Sequence, residues 1–269
     1  MNVLDSFRLE GRVALVTGAS HGIGEAIAVA FAQAGADVAI AARNTGDLAR
    51  VAERIAATGR RVAAIQTDVS RVDDVERMVS LAAERVGEPD ILANVAGTTL
   101  RKAMLAVTVD EWQRIVDVNL RSVYFASQAF VRRLVDREGG WGKIVNIASM
   151  TSYRGFDGSS VYGITKAAVV NLTQMQAVEW VGYGVRANAI APGWIETPMT
   201  AGMAPTRRAW VEAHVPQEHY GVPEDLAGLA VYLASPASDY CTGQTFPVDG
   251  GFTAGSPWPA PEGQTSHYK

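Results

Sequence analysis

Short apolar segments alternate with longer, helix-like segments along most of the sequence. The six short segments are rich in Val, Ile and Ala, as strands buried on both faces of a sheet usually are. Because strands that alternate with helices pair in parallel, the pattern predicts an α/β fold, a doubly wound parallel sheet with helices on both faces. The predicted strands are 13–17, 38–42, 62–66, 91–94, 143–148 and 186–190, and the predicted helices are 24–34, 47–58, 72–85, 109–137 and 160–182.

The chain is long enough to bury one large hydrophobic core. Of its 269 residues, 48% are apolar, and no repeat or linker divides the sequence. We therefore predict a single domain over residues 1–269. The segment 254–269 contains three prolines and has little periodicity, which indicates an irregular tail.

Charge, hydrophobicity and cysteine content exclude several functions. The net charge is −4 and charges of both signs are interspersed, so no basic face for nucleic acid is expected. No apolar stretch reaches the roughly 18 to 20 residues of a membrane span, and the N-terminus lacks a signal-peptide pattern. We therefore expect a cytoplasmic protein without membrane contact. The single cysteine, Cys241, cannot form an internal disulfide, and no His or Cys spacing indicates a metal site.

A glycine-rich turn, Thr17-Gly-Ala-Ser-His-Gly-Ile-Gly24, follows the first predicted strand. Glycines let backbone N–H groups approach a pyrophosphate, and a helix that begins near Ile23 directs its positive end at the anion. Any tight turn between a strand and a helix needs glycine, so the position after the first strand gives the motif its weight. The turn residues expected to contact a dinucleotide are Gly18, Ser20, His21, Gly22, Ile23 and Gly24.

The end of the second predicted strand, Ala41-Ala42-Arg43-Asn44, indicates which dinucleotide binds. An acidic side chain at this place holds the ribose 2′-hydroxyl of NAD, whereas an arginine accommodates the 2′-phosphate of NADP. Since Ala42 is not acidic and Arg43 is cationic, we predict NADP(H), with NAD(H) as the alternative cofactor. His21 could add a polar contact to the phosphate. A solvated arginine after a strand is the alternative interpretation of Arg43.

Tyr162 and Lys166 lie four residues apart in a predicted helix, with Ser149 upstream. Residues at i and i+4 share one helix face, so the Lys166 ammonium can lie beside the Tyr162 phenol and favour its ionised form. Lowering the phenol pKa from about 10 towards the ambient pH makes an effective general acid. The pair is therefore a candidate catalytic site, although a surface tyrosine packed along a lysine stem has the same spacing.

Together these motifs resemble those of the short-chain dehydrogenase/reductase family, and the resemblance covers nearly the whole chain. The matching positions are the turn at 17–24, Asn94-Val-Ala-Gly97, Asn119, Ser149, Tyr162-x-x-x-Lys166, Pro192-Gly193 followed by Ile195 and Thr197, and Val248-Asp-Gly-Gly251. Val95 departs from the pattern, since the family usually has asparagine there. His219 also departs, since arginine is frequent at that position.

The resemblance implies a Rossmann-type fold and an oxidoreductase whose hydride comes from the nicotinamide cofactor. In such a site Ser149 would bind the substrate carbonyl and Tyr162 would deliver the proton. Lys166 would lower the phenol pKa and bind the nicotinamide ribose, and Asn119 would hold a water that connects Lys166 to solvent. The other residues placed at the cofactor are Asn44, Asp68, Val69, Asn94, Ala96, Gly97, Ile195 and Thr197.

The resemblance also implies how the chain is organised. A cofactor half covers about 1–150, and a catalytic and substrate half covers about 151–253. Members of the family usually form homotetramers, here through the helices predicted at 109–137 and 160–182. Asp68 resembles the residue that contacts the adenine in this family. A carboxylate that caps the next turn is the alternative interpretation.

The substrate is the least constrained feature. The sequence is similar to 3-oxoacyl carrier-protein reductases and to gluconate and deoxygluconate dehydrogenases, so a small ketone such as a sugar acid or a 3-oxoacyl compound is expected. Arg101 and Lys102 could recognise a carboxylate at the pocket mouth or belong to a solvated loop. The segment 194–220 resembles a substrate lid. A dinucleotide-binding or sensing protein without turnover is the alternative function.

Overall fold

Seven parallel strands form the central sheet of the protein. A computed structural model describes residues 2–135, 137 and 140–255. The strands are β1 (Val13–Thr17), β2 (Asp37–Ala42), β3 (Val62–Gln66), β4 (Ile91–Asn94), β5 (Gly142–Ile147), β6 (Val185–Pro192) and β7 (Thr245–Val248). They lie side by side in the order β3-β2-β1-β4-β5-β6-β7, and every neighbouring pair is parallel. The winding direction therefore reverses between β1 and β4, where doubly wound folds bind their ligands.

Helices cover both faces of this sheet. The α-helices within the described residues are α1 (Gly22–Gln33), α2 (Thr45–Ala56), α3 (Val72–Val86), α4 (Val109–Val116), α5 (Ser122–Val135), α6 (Ser160–Trp180), α7 (Pro205–His214) and α8 (Ala227–Ala234). On one face, Phe31 of α1 and Leu233 of α8 pack against the sheet. On the other, Met78 of α3 and Phe130 of α5 do so. Phe31 and Phe130 are at most 1% exposed, and truncating such a side chain costs about 3–5 kcal/mol.

The predicted doubly wound α/β fold is confirmed, and the predicted strands and helices match observed ones within a few residues. The sequence patterns missed β7, which is short and contains Pro247. This strand lies at the sheet edge, where a residue without an N–H group is tolerated. They also missed α7 and α8.

The helix predicted over 109–137 contains a break in its hydrogen-bond pattern. α4 and α5 are joined by a π-helical segment, Asp117–Arg121, whose backbone stays in the right-handed helical region at both ends. Such a segment widens one turn and turns a side chain inward, here that of Asn119, which is fully buried.

Of the predicted irregular tail, only residues 254 and 255 fall within the described part of the chain. None of the helices that the structure describes is long and apolar enough to cross a membrane.

Candidate active site

A cleft of about 1200 Å³ opens at the carboxyl ends of the strands. Residues at or just after the ends of the five central strands line it, as expected for a ligand site at a topological switch point. These lining residues are Gly18, Ala42, Val95, Ile147 and Pro192.

The glycine-rich turn is folded as a backbone cradle. Gly18 has a φ of +66°, and a Cβ on it would lie 2.7 Å from the backbone N of Ala96. A Cβ on Gly24 would overlap the Gly18 carbonyl. The Thr17 hydroxyl accepts hydrogen bonds from the N–H groups of Val95 (3.0 Å) and Ala96 (3.2 Å), which ties the turn to the end of β4. Only glycine fits at these two positions, and the geometry fits a pyrophosphate bound at the start of α1.

Two exposed cationic or titratable side chains border the cleft beside this cradle. Arg43 follows β2, and no hydrogen bond or ion pair of its guanidinium is found within the described residues. His21 lies in the turn, with its Nδ1 atom 3.0 Å from the hydroxyl oxygen of the buried Ser20. Asn44 also lines the cleft, but its side-chain oxygen caps α2 by accepting from Gly46 N–H at 3.0 Å. The structure therefore brings the predicted determinants of 2′-phosphate recognition to one edge.

Asp68 and Val69 line the cleft beyond the end of β3. One Asp68 carboxylate oxygen accepts from the N–H (3.0 Å) and the hydroxyl (2.8 Å) of Ser70. Asp68 thus makes the turn-capping contacts of the alternative interpretation and also borders the cleft.

Asn94 differs from the expectation that it contacts the cofactor. It is 3% exposed, is absent from the cleft wall, and its side-chain amide donates to Ser127 (3.1 Å) and Asn146 (2.9 Å). Because a buried amide needs partners, the Asn94 side chain serves the core between β4 and β5 instead. Ala96 and Gly97, also predicted at the cofactor, do line the cleft.

Ser149, Tyr162 and Lys166 meet at one wall of the cleft. Ser149 lies just beyond β5, and its hydroxyl oxygen accepts from the Thr151 N–H at 3.1 Å. Burial raises the pKa of the Tyr162 phenol, and a hydrogen bond with Ser149 partly opposes this change. Lys166 Nζ lies 5.9 Å from the Tyr162 ring centroid and donates to the Ile147 carbonyl at 2.7 Å. Burial lowers the pKa of Lys166 to about 8.

In this structure the causes that shift the pKa of Tyr162 are burial and the hydrogen bond with Ser149, and the lowering of the phenol pKa by Lys166 stays a prediction. The ammonium group is directed at the carbonyl of Ile147, and removal from water dominates the titration of both groups. Desolvation disfavours the charged form of each, which raises the pKa of the acid and lowers that of the base.

Asn119 lies behind the wall formed by Ser149, Tyr162 and Lys166, in the π-helical segment. Its side-chain oxygen accepts from the Thr98 N–H at 2.8 Å, and its amide donates to the Thr98 carbonyl at 2.9 Å and to the Thr165 hydroxyl at 3.2 Å. A Cβ on Gly97 would lie 3.6 Å from both the Asn119 oxygen and Lys166 Nζ, so these two side chains flank the same small space. The role of Asn119 in holding a water stays a prediction.

The segment after β6 closes the cleft beside the cradle. Ile195 and Thr197 both line it, as predicted. The Thr200 hydroxyl donates to the Ile195 carbonyl at 2.7 Å and accepts from the Thr197 N–H at 3.0 Å, which fixes the segment. Gly193 is required here because a Cβ would lie 2.6 Å from the Asp249 Cα atom.

The end of the cleft next to Ser149 is largely aromatic and sulfur-containing. The side chains that form this wall are Phe156, Trp194, Met199, Met203, Trp210 and Val211. The Phe156 and Trp194 rings meet edge to face at a centroid distance of 5.8 Å. The lid segment predicted over 194–220 therefore contributes α7, whose residues at i, i+3 and i+4 (Arg207, Trp210 and Val211) face the cleft.

Two arginines border this apolar end, and one predicted cation does not. Arg101 and Arg207 line the cleft, and no ion pair involving either is found within the described residues. For Lys102 the sequence left carboxylate recognition and a solvated loop open, and its Nζ donates to both carboxylate oxygens of Glu111, at 2.8 and 2.9 Å. The hydrogen bond from Lys102 is the main cause that lowers the pKa of Glu111 to about 2. Lys102 is thus held by Glu111, which belongs to the capping box of α4, and the recognition of a carboxylate at the pocket mouth stays a prediction.

Sequence reasoning missed Phe156 and Arg114, which also line the cleft. Neither belongs to a motif, and only the fold brings their segments to the cleft.

Comparison with known proteins defines the family. Residues 18–253 match the family model described as enoyl-(acyl carrier protein) reductase. The chain belongs to the short-chain dehydrogenase/reductase family, and it is an oxidoreductase of the type that acts on CH–OH groups.

Three relatives illustrate the range of its likeness. The chain is 37% identical to a 2-dehydro-3-deoxy-D-gluconate 5-dehydrogenase of Escherichia coli (strain K12), over 94% of this chain and 99% of the relative. It is 37% identical to a 3-oxoacyl-(acyl-carrier-protein) reductase of Vibrio harveyi, over 90% of this chain and 98% of the relative. The crystal structure of a gluconate 5-dehydrogenase from Burkholderia cenocepacia J2315, in complex with NADP and tartrate, superposes with a TM-score of 0.89 at 37% identity, covering 94% of this chain and 99% of that one.

Proposed function

We propose that the protein is an NADP(H)-dependent oxidoreductase that interconverts a ketone and a secondary alcohol, with Tyr162 as general acid and base. The observation that carries this proposal is the meeting of Ser149, Tyr162 and Lys166 on the wall of a cleft whose other end is a glycine cradle at a helix N-terminus. When bound, the nicotinamide supplies or accepts the hydride. The chain's own residues bind and orient the two reactants and move the proton.

Several contacts would hold the cofactor. The cradle at Gly18 and Gly24 would bind the pyrophosphate, and Arg43 with His21 would bind the 2′-phosphate. Asp68 and Val69 would border the adenine, and Ile195 and Thr197 the carboxamide. The support for NADP(H) is Arg43 at the cleft edge, whose guanidinium has no partner among the described residues, and the NADP bound in the Burkholderia relative.

The electrostatics of the catalytic wall favour proton donation. Since burial raises the pKa of Tyr162, the phenol is protonated at working pH and can donate to a carbonyl oxygen that gains negative charge. The Ser149 hydroxyl would donate a second hydrogen bond to the same oxygen, which stabilises charge that develops in the transition state. Lys166, with a pKa of about 8, can exchange its proton near the ambient pH and would return a proton towards the phenol.

The substrate side supports a ketone that carries an acidic group. Arg101 and Arg207 border the cleft end next to Ser149, and a carboxylate is the natural partner of a guanidinium. Sugar acids fit this chemistry and agree with the gluconate-type relatives. A 3-oxoacyl thioester is the second candidate, favoured by the apolar wall of Trp194, Met199 and Met203.

Oxidation of NADPH and NADH, followed by absorbance over keto acids, keto sugars, 3-oxoacyl thioesters and neutral cyclic diketones, tests the proposal. The expected result is turnover with NADPH that Tyr162→Phe reduces by about 10² to 10⁴-fold while NADPH binding is kept. Turnover that survives in Tyr162→Phe contradicts the assigned acid. Tight NADPH binding without turnover of any of these carbonyl compounds favours the non-catalytic, sensing alternative.

We also propose that the protein is a homotetramer assembled through α4, α5 and α6. These helices and the turn before them expose large apolar side chains, including Val109 (81% exposed), Trp112, Tyr124 and Val178 (75% exposed). Exposed apolar patches of this kind commonly mark subunit contacts. Light scattering after size-exclusion chromatography tests it: four chains per particle are expected, and a monomer that persists at micromolar concentration contradicts it.

A further inference from the structure

Arg50 of α2 connects two segments that border the cofactor cleft, although it does not line the cleft itself. Its Nη1 and Nη2 atoms donate to the two carboxylate oxygens of Glu25, at 2.6 and 2.7 Å. Its Nη2 atom also donates to the backbone carbonyl of Ser20 at 3.0 Å. One guanidinium therefore joins α2, the first turn of α1 and the middle of the glycine-rich turn.

The Glu25 carboxylate makes this connection rigid. Glu25 is only 8% exposed, and the hydrogen bond from Arg50 is the main cause that lowers its pKa. A carboxylate shielded in this way is strongly held to its partners, because leaving it unpaired is costly. A bidentate pair also fixes the plane of the guanidinium, so the third contact, to Ser20, has a defined direction.

The joined segments carry the two groups expected to recognise a 2′-phosphate. Ser20 precedes His21, and its hydroxyl lies 3.0 Å from His21 Nδ1. At the other side of the contact, α2 begins directly after Arg43 and Asn44. The Arg50 bridge therefore links the turn that carries His21 to the helix that begins two residues after Arg43.

We propose that Arg50 is a positioning residue for the 2′-phosphate of NADP(H), which acts by fixing the Ser20–His21 turn relative to Arg43. This inference rests on the proposed preference for NADP(H). NAD(H) lacks the 2′-phosphate, so its binding requires the pyrophosphate cradle at Gly18 and Gly24 but not the placement of His21 relative to Arg43.

The chain offers a matched control. Arg54, one helical turn after Arg50, also forms an ion pair with Glu25, and its side chain is 49% exposed, as is that of Arg50. The described contacts of Arg54 do not include Ser20. Replacing either arginine removes one positive charge from the same carboxylate, and only the Arg50 replacement releases the turn.

The test is isothermal titration of NADPH, NADH and 2′,5′-ADP into the cofactor-free protein and into Arg50→Met, Arg50→Lys and Arg54→Met. Loss of one charge-assisted hydrogen bond that orders the site is expected to weaken NADPH and 2′,5′-ADP binding by about tenfold in Arg50→Met. Arg50→Lys is expected to behave in the same way, because an ammonium cannot bridge Glu25 and Ser20 with the fork geometry. NADH binding in every variant, and all binding by Arg54→Met, should stay within about twofold of the wild type.

Each contrary result has a distinct meaning. Full recovery in Arg50→Lys would show that charge, and not position, matters, and would overturn the proposal. Equal weakening of NADPH and NADH, or equal effects of Arg50→Met and Arg54→Met, would reveal a general structural role and also overturn it. If Arg43→Ala abolishes the NADPH preference while Arg50→Met keeps it, the positioning role alone fails. If the wild type binds NADPH no better than NADH, the proposed cofactor preference fails together with it.

Discussion

Replacing Lys166 by Met is expected to stabilise the protein at neutral pH while abolishing the proposed catalysis. Lys166 is 3% exposed, and burial lowers its pKa from 10.5 to about 8. The folded protein thus holds the charged lysine at a free-energy cost that a neutral side chain of similar length does not have.

The magnitude follows from the difference between the two pKa values. A pKa difference of one unit between the folded and unfolded states corresponds to about 1.4 kcal/mol. With a pKa of about 8 in the folded state and 10.5 in the unfolded state, the charged lysine lowers the free energy of unfolding by about 3 kcal/mol at a pH where it is charged in both states. The variant loses the hydrogen bond to the Ile147 carbonyl, worth about 1 kcal/mol, so its net gain at about pH 7 is about 2 kcal/mol.

The sign of the pH dependence distinguishes this cause from ordinary packing. Between about pH 8 and pH 10.5 the unfolded chain holds more protons at Lys166 than the folded one, so wild-type stability rises with pH through this window. The gain in the free energy of unfolding from Lys166→Met is therefore complete below about pH 8. At about pH 9.5 it falls below about 1 kcal/mol.

Urea unfolding of the cofactor-free wild type and variant at about pH 7 and about pH 9.5, at equal protein concentration, measures both differences. Lys102→Met is the control, because Lys102 is paired with Glu111 at the surface and its removal should not stabilise the protein at either pH. A Lys166→Met variant that is less stable than the wild type at about pH 7 would refute the reasoning, as would a gain that does not change with pH.

Three further outcomes are expected. Arg43→Ala should raise the KM for NADPH by about tenfold and leave that for NADH unchanged; an unaltered preference between the two cofactors would mean that Arg43 does not recognise the 2′-phosphate. Arg101→Gln should raise the KM for a keto acid but not for a neutral ketone, and Lys102→Gln should change neither, since Lys102 is bound to Glu111; matching effects in the two variants would exclude carboxylate recognition by Arg101. Asn94→Ala should lower the free energy of unfolding by about 2 kcal/mol through its two buried hydrogen bonds, measured by urea denaturation, and an unchanged stability would contradict the core role.

The parts of the fold that could be predicted are those whose signal is local. β1 and β4 are buried on both faces, so their apolar runs were visible in the sequence. Gly18 and Gly24 were recognisable by their position after the first predicted strand. The structure explains why glycine stands there, since backbone contacts leave no room for a Cβ. β7 gave no such signal, since its pairing with β6 and its Pro247 are explained only by its place at the sheet edge.

The partners of charged and polar side chains could not be predicted in the same way. Arg101 and Lys102 are neighbours in sequence, and nothing in their residue types shows that Glu111 binds one and leaves the other at the cleft. Asn94 follows the family motif, but its direction depends on Asn146 of the adjacent strand. Such choices are made by tertiary contacts, which a motif does not encode.

Tyr162 and Lys166 show why spacing alone identifies two neighbouring groups but not the direction in which their pKa values shift. A separation of four residues on α6 brings Tyr162 and Lys166 to one face, from which an attraction between phenolate and ammonium follows. In the folded protein burial acts on both groups at once and in opposite directions, raising the pKa of Tyr162 and lowering that of Lys166. Burial is the largest cause of both shifts, and the Lys166 ammonium donates to the carbonyl of Ile147. In the proposed carbonyl reduction, the protonated phenol would donate its proton, and the lysine would exchange its own near neutral pH.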